Sequence, residues 1–580
     1  MMHLNIFHRP APGPLYEIFK RQQELVHSMG LKVTLFLHYR DLFDRAMVED
    51  ALRYAREQGD EIGLALHDLT GPGLDAGHFI WLLEAGQKRA VLQTILAKYR
   101  EVFGRNPVSA ASYHFDASAL KILKEEAPEV ETVVGGCFEE GVRVYHGCNH
   151  SWHLFNEGMP WNPWYPSATH ALRPAADEAD AAGVVAVPHL MRDMSLAYEG
   201  RNDFWASHPP NIIRGMGNDA SFCPYDLNLI DQFRMQEEWN GGYSYYNTFV
   251  NASWLTWNHN SEYPPEVAWE LYTKFLGYLA DLKSAGQVCD MTLGEYGRWH
   301  RQHRQIGQPE VYWAREMLYG SGKHYFWMLD PNRRLLIDPT QGGSIGDLRP
   351  YIGRVPVATG PDTEARQIGS YPYLIQSQHR TGSAHHYADG ARTTLLISNG
   401  SQTLDLCTVR TQVASVTNIP GETSMELTPA PFAFDDGLSG EIVTRFRFLP
   451  NGGTRIERTV SQLSNPEAEL TFTEYLKAAP GVTEYPEDLH GIRLSIDGEA
   501  AREVAFDYSG ETLESPGATT LCASIPHTCT RLEWSAAEGE QPRLGSLKVG
   551  PLFSPYFTLA LEFSIKGNSQ FSTCLNLKTI

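Results

Sequence analysis

The chain has 580 residues, which is too long for one ordinary hydrophobic core, so two or three domains are expected. Hydrophobic residues make up 42% of the sequence and charged residues 20%, which is typical of a folded globular protein and excludes a disordered one. The formal net charge of −21 argues against binding to nucleic acid or to an anionic membrane surface.

The cysteines and the first residues bear on the cellular location. The eight cysteines are scattered, without a C-x-x-C pair or zinc-finger spacing, which argues against a structural zinc site and a dense disulfide framework. The opening MMHLNIFHRP does not have the basic and apolar regions of a signal peptide. No apolar run approaches the roughly 20 residues that a membrane span needs. We therefore expect a cytoplasmic protein that does not bind a membrane.

Strands and helices alternate along the first part of the chain. The apolar segments LKVTLFLHY, EIGLALHDL and VETVVGG predict buried strands. Helical stripes separate them, for example from Leu15 to Gly30, and from about Asp44 to Gln58 with Gly59 at the end. Such a pattern predicts an α/β fold in which a parallel sheet is covered by helices. Seven or eight units within about 300 residues fit a (β/α)7–8 barrel.

The pattern changes after residue 305. Short alternating segments such as TTLLISNG, EIVTRFRFLP and FTLALEFSI follow one another, separated by Gly, Pro, Asn and Asp. This pattern is typical of an antiparallel β-sandwich. We therefore predict two domains, a catalytic barrel over residues 1–305 and a C-terminal β-sandwich over residues 306–580. The sequence is compatible with a homo-oligomer.

Polar side chains follow almost every predicted strand of the first domain. Chemistry in such barrels lies at the carboxyl ends of the strands, and buried polar groups cost stability unless they are paired or used. Any single histidine can equally serve only to hydrogen-bond its neighbours. The groups at these strand ends are His8, His38, His67, Asp68, His114, Asp116, Glu139, Glu140, His189, Arg192, Asp193 and Glu295.

The segment over residues 137–166 combines acids, histidines and aromatic rings. Aromatic faces stack on the apolar face of a sugar, whereas carboxylates and imidazoles bind its hydroxyls or move its protons. We therefore expect a site for a polar ring, with a loop that buries its own aromatic rings as the alternative. The candidates for sugar contact in and near this segment are His150, Trp152, Trp161, Trp164, Tyr165 and, further along the chain, Trp257.

Short stretches of the first domain resemble known carbohydrate enzymes. EIGLALHDLTG and PVSAASYHFDASALKILKE resemble the second half of the polysaccharide deacetylase (NodB-homology) barrel, and FHRP resembles the first-strand HQP motif of glycoside hydrolase family 57. A distorted (β/α)7 barrel followed by a β-sandwich is the layout of glycoside hydrolase families 57 and 38. The chain most resembles a poorly characterised bacterial group of that layout, in which a carboxylate precedes a YYPS-type segment, as Glu140 precedes WYPSATHALRPA.

The departures from these families limit what the resemblance implies. The first-strand aspartate pair and the HxxxH histidines of the deacetylases are absent, as are the nucleophile motif of family 57 and the HxD zinc signature of family 38. The resemblance therefore implies a fold and a carbohydrate substrate, an oligosaccharide or polysaccharide, without a mechanism.

Three functions are compatible with the sequence. The first is a glycoside hydrolase that uses two carboxylates and no cofactor, one acid to protonate the leaving oxygen and one carboxylate to attack or to activate water. The candidate catalytic residues are Glu140, Asp193, Glu139 and Asp116. His8, His67, Asp68, His114, His189, Arg192 and Glu295 join the aromatic residues as candidates for substrate binding.

The other two functions differ from it in the chemistry they require. One is a metal-dependent, deacetylase-like hydrolase in which His8, His67, Asp68 and His114 bind a metal such as zinc and a metal-bound water attacks. The other is a carbohydrate-binding protein without catalysis, since a fold does not imply a function.

Overall fold

A computed structural model describes most of the chain, in two compact units. The described residues are 1–77, 79–138, 160–169, 171–189, 191–198, 213, 223–256, 264–353, 373–377, 391–480, 491–552, 554 and 556–580. The first unit is built from Met1–Ala197 and Arg201–Gln308, and the second from Pro309–Pro356 and Tyr371–Ile580, together with Tyr198. The sequence analysis predicted a domain boundary after residue 305.

The first unit contains one parallel sheet of eight strands and a two-stranded hairpin formed by β4 and β5. The strands are β1 (Met2–His8), β2 (Thr34–Leu37), β3 (Glu61–Ala65), β4 (Thr70–Gly71), β5 (Leu74–Asp75), β6 (Ser109–Asp116), β7 (Thr132–Phe138), β8 (Val185–Val187), β9 (Ser244–Phe249) and β10 (Val288–Asp290). The helices are α1 (Tyr16–Ser28), α2 (Arg45–Gln58), α3 (Ala85–Phe103), α4 (Ala117–Glu126), α5 (Met194–Tyr198), α6 (Cys223–Met235), α7 (Pro265–Ser284) and α8 (Leu293–His303).

Strand β1 pairs with three other strands of this sheet. It pairs with β9 over Met2–Phe7, with β10 over its first half, and with β2 at Phe7 and His8. Beyond β2 the order is β3, β6, β7 and β8, all parallel. The sheet curls into a half-barrel, and no ladder joins β8 to β9 within the ranges given above. The α/β prediction is thereby confirmed as a curled parallel sheet, while the predicted count of seven or eight barrel units stays a prediction.

Local sequence signals set the ends of the helices. The Asp44 side chain accepts hydrogen bonds from the backbone N–H groups of Ala46 (3.0 Å) and Met47 (3.2 Å), which would otherwise have no partner in the first turn of α2. Gly59 ends the same helix with φ of 78°, a conformation that costs glycine little. Both ends agree with the sequence prediction. Among the described helices, none is long and apolar enough to cross a membrane.

A buried carboxylate joins two strands and a helix at the amino-terminal end of the sheet. Glu61, the first residue of β3, accepts hydrogen bonds from Ser109 Oγ, from Thr292 Oγ1 (2.9 Å) and from the backbone N–H of Gly294 (2.7 Å). Burial raises the pKa of Glu61. Because Thr292 is the N-cap of α8, the carboxylate fixes the start of this helix beneath β3 and β6.

The second unit consists of antiparallel strands in three sheets, ordered β11-β12-β13-β14-β15, β17-β16-β23-β30-β29-β26, and β18-β19-β21-β22-β31-β28-β27-β24-β25 with β20 beside β21. The strands are β11 (Glu310–Arg315), β12 (His324–Asp330), β13 (Arg333–Asp338), β14 (Ser344–Pro350), β15 (Ile375–Gln376), β16 (Arg392–Ser398), β17 (Thr403–Asp405), β18 (Val413–Ile419), β19 (Glu422–Leu427), β20 (Ala430–Ala433), β21 (Ser439–Phe448), β22 (Thr454–Ser461), β23 (Glu469–Ala478), β24 (Arg493–Ile496), β25 (Arg502–Ala505), β26 (Thr512–Pro516), β27 (Thr520–Ile525), β28 (Thr530–Ala536), β29 (Leu544–Val549), β30 (Phe557–Lys566) and β31 (Gln570–Thr579). This confirms the prediction that the strands of the second domain are antiparallel.

The two larger sheets of the second unit pack face to face. The ring of Phe571 on β31 lies 5.3 Å from that of Phe472 on β23 and 5.0 Å from that of Phe563 on β30, measured between centroids. Trp534 Nε1 on β28 donates to the carbonyl oxygen of Glu474 on β23 (3.2 Å). Apolar side chains therefore fill the space between these sheets, as expected for stacked antiparallel sheets.

A buried ion pair joins the same two sheets. Arg458 Nε on β22 donates to Glu474 Oε1 on β23 at 2.7 Å, and both side chains are almost fully buried. We expect Arg458→Met to lower the free energy of unfolding by about 3–5 kcal/mol, because it leaves a buried carboxylate without its cation. Denaturant unfolding followed by circular dichroism measures this loss.

The matched control is Arg445→Met, which removes a half-exposed guanidinium that pairs with Glu422 at 3.4 Å. We expect this variant to change the free energy of unfolding by less than about 1 kcal/mol. Equal losses in the two variants would contradict a structural role for the Arg458–Glu474 pair.

Candidate functional site

Adjacent side chains at the end of strand β1 face different environments. Successive side chains of a strand point to opposite faces of the sheet. His8 Nδ1 lies 3.1 Å from Gln23 Oε1 on α1, and its Nε2 lies 2.9 Å from Tyr272 Oη on α7. Burial lowers the pKa of His8 to about 3. His8 therefore packs against the helices, which differs from the expectation that it binds substrate or metal, and the next residue, Arg9, lines a pocket instead.

A pocket of about 410 Å³ lies at the carboxyl ends of β1, β2 and β3. This volume is in the range of small-molecule sites, roughly 300–1,000 Å³. Polar side chains and apolar ones share its wall, which consists of Arg9, Pro10, Ala11, Pro12, Leu15, His38, Arg40, His67, Asp68, Phe79, Asn251 and Ser253. Of the residues predicted as catalytic or binding, His67 and Asp68 line it.

Two histidines meet at the wall of this pocket. His38 Nε2 lies 2.8 Å from His67 Nε2, and the rings are nearly perpendicular with centroids 4.5 Å apart. On its other side, His38 Nδ1 lies 3.1 Å from Asp41 Oδ2. Arg9 Nη1 also contacts His67 Nε2. The pocket thus contains an imidazole pair with a carboxylate behind it and a guanidinium in front of it.

The carboxylate of the pocket is Asp68, which directly follows His67. Its Oδ2 lies 2.7 Å from Arg40 Nη1, and its Oδ1 accepts a hydrogen bond from Thr70 Oγ1 at 2.7 Å. These two contacts fix the orientation of the carboxylate. The side chain of Arg40 is 43% exposed, so this pair remains accessible to solvent and to a ligand.

A smaller cavity is bordered by some of the same residues. Its wall consists of Phe7, Arg9, Phe36, His67, Ala111, Ser112, Val134, His189 and Phe249. Burial, together with the charges of Arg9 and His114, lowers the pKa of His189 to about 3, so this ring is neutral near pH 7. The guanidinium carbon of Arg9 lies 4.5 Å from the centroid of Phe249. Because Arg9 and His67 belong to both walls, they lie where the two cavities adjoin.

Two predicted catalytic acids lie at the starts of helices. Asp116 Oδ2 lies 2.6 Å from Lys88 Nζ, and Asp116 Oδ1 caps α4 by accepting from the backbone N–H of Ala119. Both Lys88 and Asp116 are buried. The position of Asp116 at the end of β6 is therefore explained by capping and by an ion pair, which differs from the expected catalytic role.

Asp193 has a similar environment at the start of α5. It accepts hydrogen bonds from Ser195 Oγ (2.7 Å), from the backbone N–H groups of Ser195 and Leu196, and from Tyr225 Oη (2.7 Å). Burial raises the pKa of its carboxyl group despite these hydrogen bonds. Asp193 is fully buried and Arg192 nearly so, and neither belongs to the two cavity walls described above.

Three aromatic residues near the end of the segment 137–166 are buried. Trp161, Trp164 and Tyr165 are only 3%, 3% and 7% exposed. The backbone of Trp164 pairs with Ala186 on β8, and Tyr165 Oη donates toward the carbonyl oxygens of two residues at the end of α8. These rings therefore pack in the core, which agrees with the alternative of a loop that buries its own aromatic rings.

Glu295 lies at the opposite end of the sheet from the pocket. It belongs to the first turn of α8 and pairs with Lys32, which precedes β2, at 2.9 Å. His114 packs edge-on against Trp81, with centroids 4.8 Å apart. The remaining candidates lie outside the described residues: Glu139, Glu140, His150, Trp152 and Trp257.

The four side chains considered as zinc ligands do not converge. His8 faces α1 and α7, and His114 packs against Trp81. The Arg9 guanidinium contacts the ring nitrogen of His67 that a cation beside His38 would need. In the part of the chain that the structure describes, no group of three or more His, Cys, Asp or Glu side chains is placed to hold a metal ion. This ligand set does not fit a metal ion.

Some pocket residues have a signal in the sequence, and others do not. Arg9 follows His8 in FHRP, and the alternation of side chains along β1 directs it to the face opposite that of His8. Asn251 follows β9, and its Oδ1 accepts from Ser253 N at 3.0 Å. Arg40 and Phe79 lie in the segments after β2 and β5, where the apolar pattern gives no information about the direction of a side chain.

Comparisons with known proteins leave the family open. The sequence matches no family model and no curated protein. A proposed glycoside hydrolase/deacetylase from Parabacteroides distasonis is similar in structure, with 14% identity over 64% of this chain and 89% of that one and a TM-score of 0.47. A 4-alpha-glucanotransferase from Thermococcus litoralis has 9% identity over 99% of both chains and a TM-score of 0.29.

A proposed polysaccharide deacetylase from Mycobacterium smegmatis is a third such structure. It has 12% identity over 53% of this chain and 92% of that one, and a TM-score of 0.32. None of the three TM-scores reaches 0.5, so neither the fold nor the reaction of these proteins is carried over to this chain.

The burial of Trp164 leads to a test of its role. We expect Trp164→Ala to lower the free energy of unfolding by about 3–5 kcal/mol, because it leaves a large cavity in the core. Thermal and denaturant unfolding measure this loss. Phe79→Ala, which truncates a half-buried ring at the pocket, is the control and should cost less stability. A stable Trp164→Ala variant with weakened sugar binding would contradict the core assignment.

The buried histidine at the end of β1 makes stability depend on pH. The pKa of His8 is lowered from 6.5 to about 3 in the folded state, so the unfolded chain binds this proton first. The stability from His8 is present above pH 6.5 and is lost as the pH falls toward 3. Between these values, His8→Gln should reduce the slope of unfolding free energy against pH by about 1.4 kcal/mol per pH unit. Equal slopes in urea titrations at several pH values would contradict this assignment.

Proposed function

We propose that the chain is a carbohydrate-active enzyme that cleaves a glycosidic bond, with one sugar unit of an oligosaccharide or polysaccharide bound in the 410 Å³ pocket. The observation that supports this is the combination of groups at one cluster of strand ends. Asp68, Arg40 and the two imidazoles can bind hydroxyl groups, while Phe79 offers an aromatic face to the apolar side of a ring. The location agrees with the carboxyl-end sites of (β/α) barrels.

Glycosidic cleavage requires two groups on opposite sides of the bond. One acid protonates the leaving oxygen, and one carboxylate attacks the sugar or activates water. Asp68 is the pocket carboxylate of the described chain, and its orientation is fixed by Arg40 and Thr70. For the second carboxyl group we propose Glu140, with Glu139 as its substitute. Both follow β7, which is parallel to β3 through β6 and so ends at the same edge of the sheet.

A second function is favoured by one specific observation. Asp116 and Asp193, two of the four acids that the sequence singled out, have their carboxylate oxygens engaged by helix starts, a lysine and a tyrosine. If the remaining acids are engaged in the same way, the pocket binds a sugar without cleaving it. A carbohydrate-binding protein without catalysis is therefore the alternative that the experiment must separate.

Turnover on a panel of oligosaccharides and aryl glycosides tests the proposal. We expect Asp68→Asn and Glu140→Gln each to lower kcat by at least about 10²-fold with folding intact, because both exchanges are nearly isosteric and remove only the acid or base. Asp75→Asn, at an exposed position of β5, is the matched control and should retain full activity.

Three outcomes decide between the functions. Binding of the panel without turnover by the wild-type protein favours the carbohydrate-binding alternative. Turnover that persists in Asp68→Asn removes Asp68 from catalysis. Loss of turnover after prolonged chelation, with its return on adding zinc, would contradict the proposal that no cofactor is needed.

A further inference from the structure

We propose that the pocket binds a sugar that carries an acidic group, a carboxylate or a sulfate ester, and that Arg40 and Asn251 bind this group. Both side chains border the pocket. They follow β2 and β9, the strands that pair with β1 on its two sides. The inference rests on the proposed function for the sugar itself, and it adds the class of sugar that the site would take.

The side-chain amide of Asn251 has a defined orientation. Its Oδ1 accepts hydrogen bonds from the backbone N–H of Ser253 at 3.0 Å and from Ser253 Oγ at 3.1 Å. Since the backbone N–H can only donate, the amide oxygen and not the amide nitrogen must face Ser253. In the part of the chain that the structure describes, Asn251 Nδ2 has no hydrogen-bond partner. Asn251 therefore keeps two N–H donors for a ligand.

Arg40 also has donors that the chain does not use. Its Nη1 lies 2.7 Å from Asp68 Oδ2, and its Nε lies 3.7 Å from Asp41 Oδ1. The two N–H donors on Nη2 have no partner within the described ranges. Because an arginine side chain has a positive charge and no acceptor, the group that binds to Nη2 must accept hydrogen bonds. A ligand can reach this half-exposed side chain.

The carboxylate and amide oxygens of the wall already face donors of the chain. Asp68 Oδ1 accepts from Thr70 Oγ1 at 2.7 Å, and Asp68 Oδ2 lies against Arg40. The amide oxygen of Asn251 is engaged by Ser253. A hydroxyl group of a neutral sugar accepts and donates, so it also needs an acceptor for its own proton. A carboxylate or a sulfate only accepts, and hydrogen bonds to an ionised group are the stronger ones. The unused donors therefore favour an acidic group.

The charged groups of the wall also favour an anion. The wall contains two guanidinium groups, those of Arg9 and Arg40, and one carboxylate, that of Asp68. In the whole chain the acids outnumber the bases, with 69 Asp and Glu against 48 Lys and Arg. The wall thus has more cations than anions in a chain that has the opposite excess. The charge of Arg9 acts on a bound anion through space, in addition to its contacts with His67 and Phe249.

Binding of small sugars to the full-length chain tests the inference without any turnover. The acidic probes are the methyl glycosides of glucuronic and galacturonic acid and the 6-sulfates of methyl glucoside and methyl galactoside. The two methyl glycosides without sulfate are the neutral probes. We expect one kind of acidic probe to bind at least about 10-fold more tightly than the neutral probes, because its hydrogen bonds are made to a charged group. Its affinity should fall as the salt concentration rises. Ligand-observed NMR titrations measure the dissociation constants.

Asn251→Asp removes the amide donors and keeps the local turn. Aspartate has nearly the same shape, and its Oδ1 can accept from Ser253 as the amide oxygen does, but the two Nδ2 protons are replaced by a negative charge. We expect the ratio of the affinities for acidic and neutral probes to fall by at least about 10-fold. The same NMR titrations measure this ratio, and circular dichroism checks that the variant is folded.

The matched control is Asn465→Asp, in the second unit and outside the wall of the pocket. Asn465 Oδ1 accepts from the backbone N–H of Glu467, two residues further on, at 3.1 Å. This is the same local contact that Asn251 makes with Ser253. The control adds the same negative charge at a distance from the pocket, so it should leave the ratio of affinities unchanged.

The probes that bind identify the acidic group. Tighter binding of the uronic acids than of the sulfates supports a carboxylate, and the reverse supports a sulfate ester. Equal affinities of the wild-type protein for acidic and neutral probes would overturn the inference, and this result does not depend on how any variant folds. A preference for acidic probes that persists in Asn251→Asp would overturn the assignment of Asn251.

These outcomes are distinguishable from those of the proposed function. Selective binding of acidic probes, without turnover on any glycan, would support the acidic site and contradict glycosidic cleavage. Turnover of neutral glycans, without a preference for acidic ones, would overturn the acidic site and leave glycosidic cleavage standing. The absence of both binding and turnover would overturn the two proposals together.

Discussion

The first unit depends on the parallel pairing of β1 with its neighbours. Because β1 hydrogen-bonds to β9, β10 and β2, its register sets which residues stand at the edge of the sheet where these strands end. The pleat then divides adjacent residues between two environments. Arg9 enters the pocket and contacts His67, whereas His8 is fixed between α1 and α7. The pocket therefore receives the guanidinium of Arg9 and not the imidazole of His8.

Residue types at strand ends predicted the pocket only in part. The order of strands and helices, the ends of α2, and the presence of His67 and Asp68 at the edge of the sheet all follow from apolar runs and turn residues. Asp116 illustrates why the site was harder to predict. An aspartate between a strand and a helix fits a catalytic acid and a helix cap equally well. Its contacts with Lys88 and with the backbone N–H of Ala119 depend on packing that the sequence does not show.

The described aromatic residues that the sequence analysis assigned to sugar binding are buried. The sequence analysis gave Trp164 as a candidate for sugar contact, but its backbone pairs with Ala186 at the edge of the sheet. A tryptophan that covers the end of a sheet and one that covers a sugar give the same local pattern. The packing partner, far away in the sequence, determines which it is. The glycosidic reaction proposed here accordingly relies on the polar wall and on Phe79 rather than on the buried rings.

The buried anchor at Glu61 and the pocket lie at opposite ends of the parallel strands. The Glu61 carboxylate fastens β3, β6 and the start of α8 at the amino-terminal end, while the imidazole pair lies beyond the carboxyl ends. Neither group of contacts shares a residue with the other. For protein engineering, this separation means that the residues after β1, β2 and β3 can be randomised to alter ligand preference while the anchoring contacts stay intact. A library built there would sample new specificities on an unchanged scaffold.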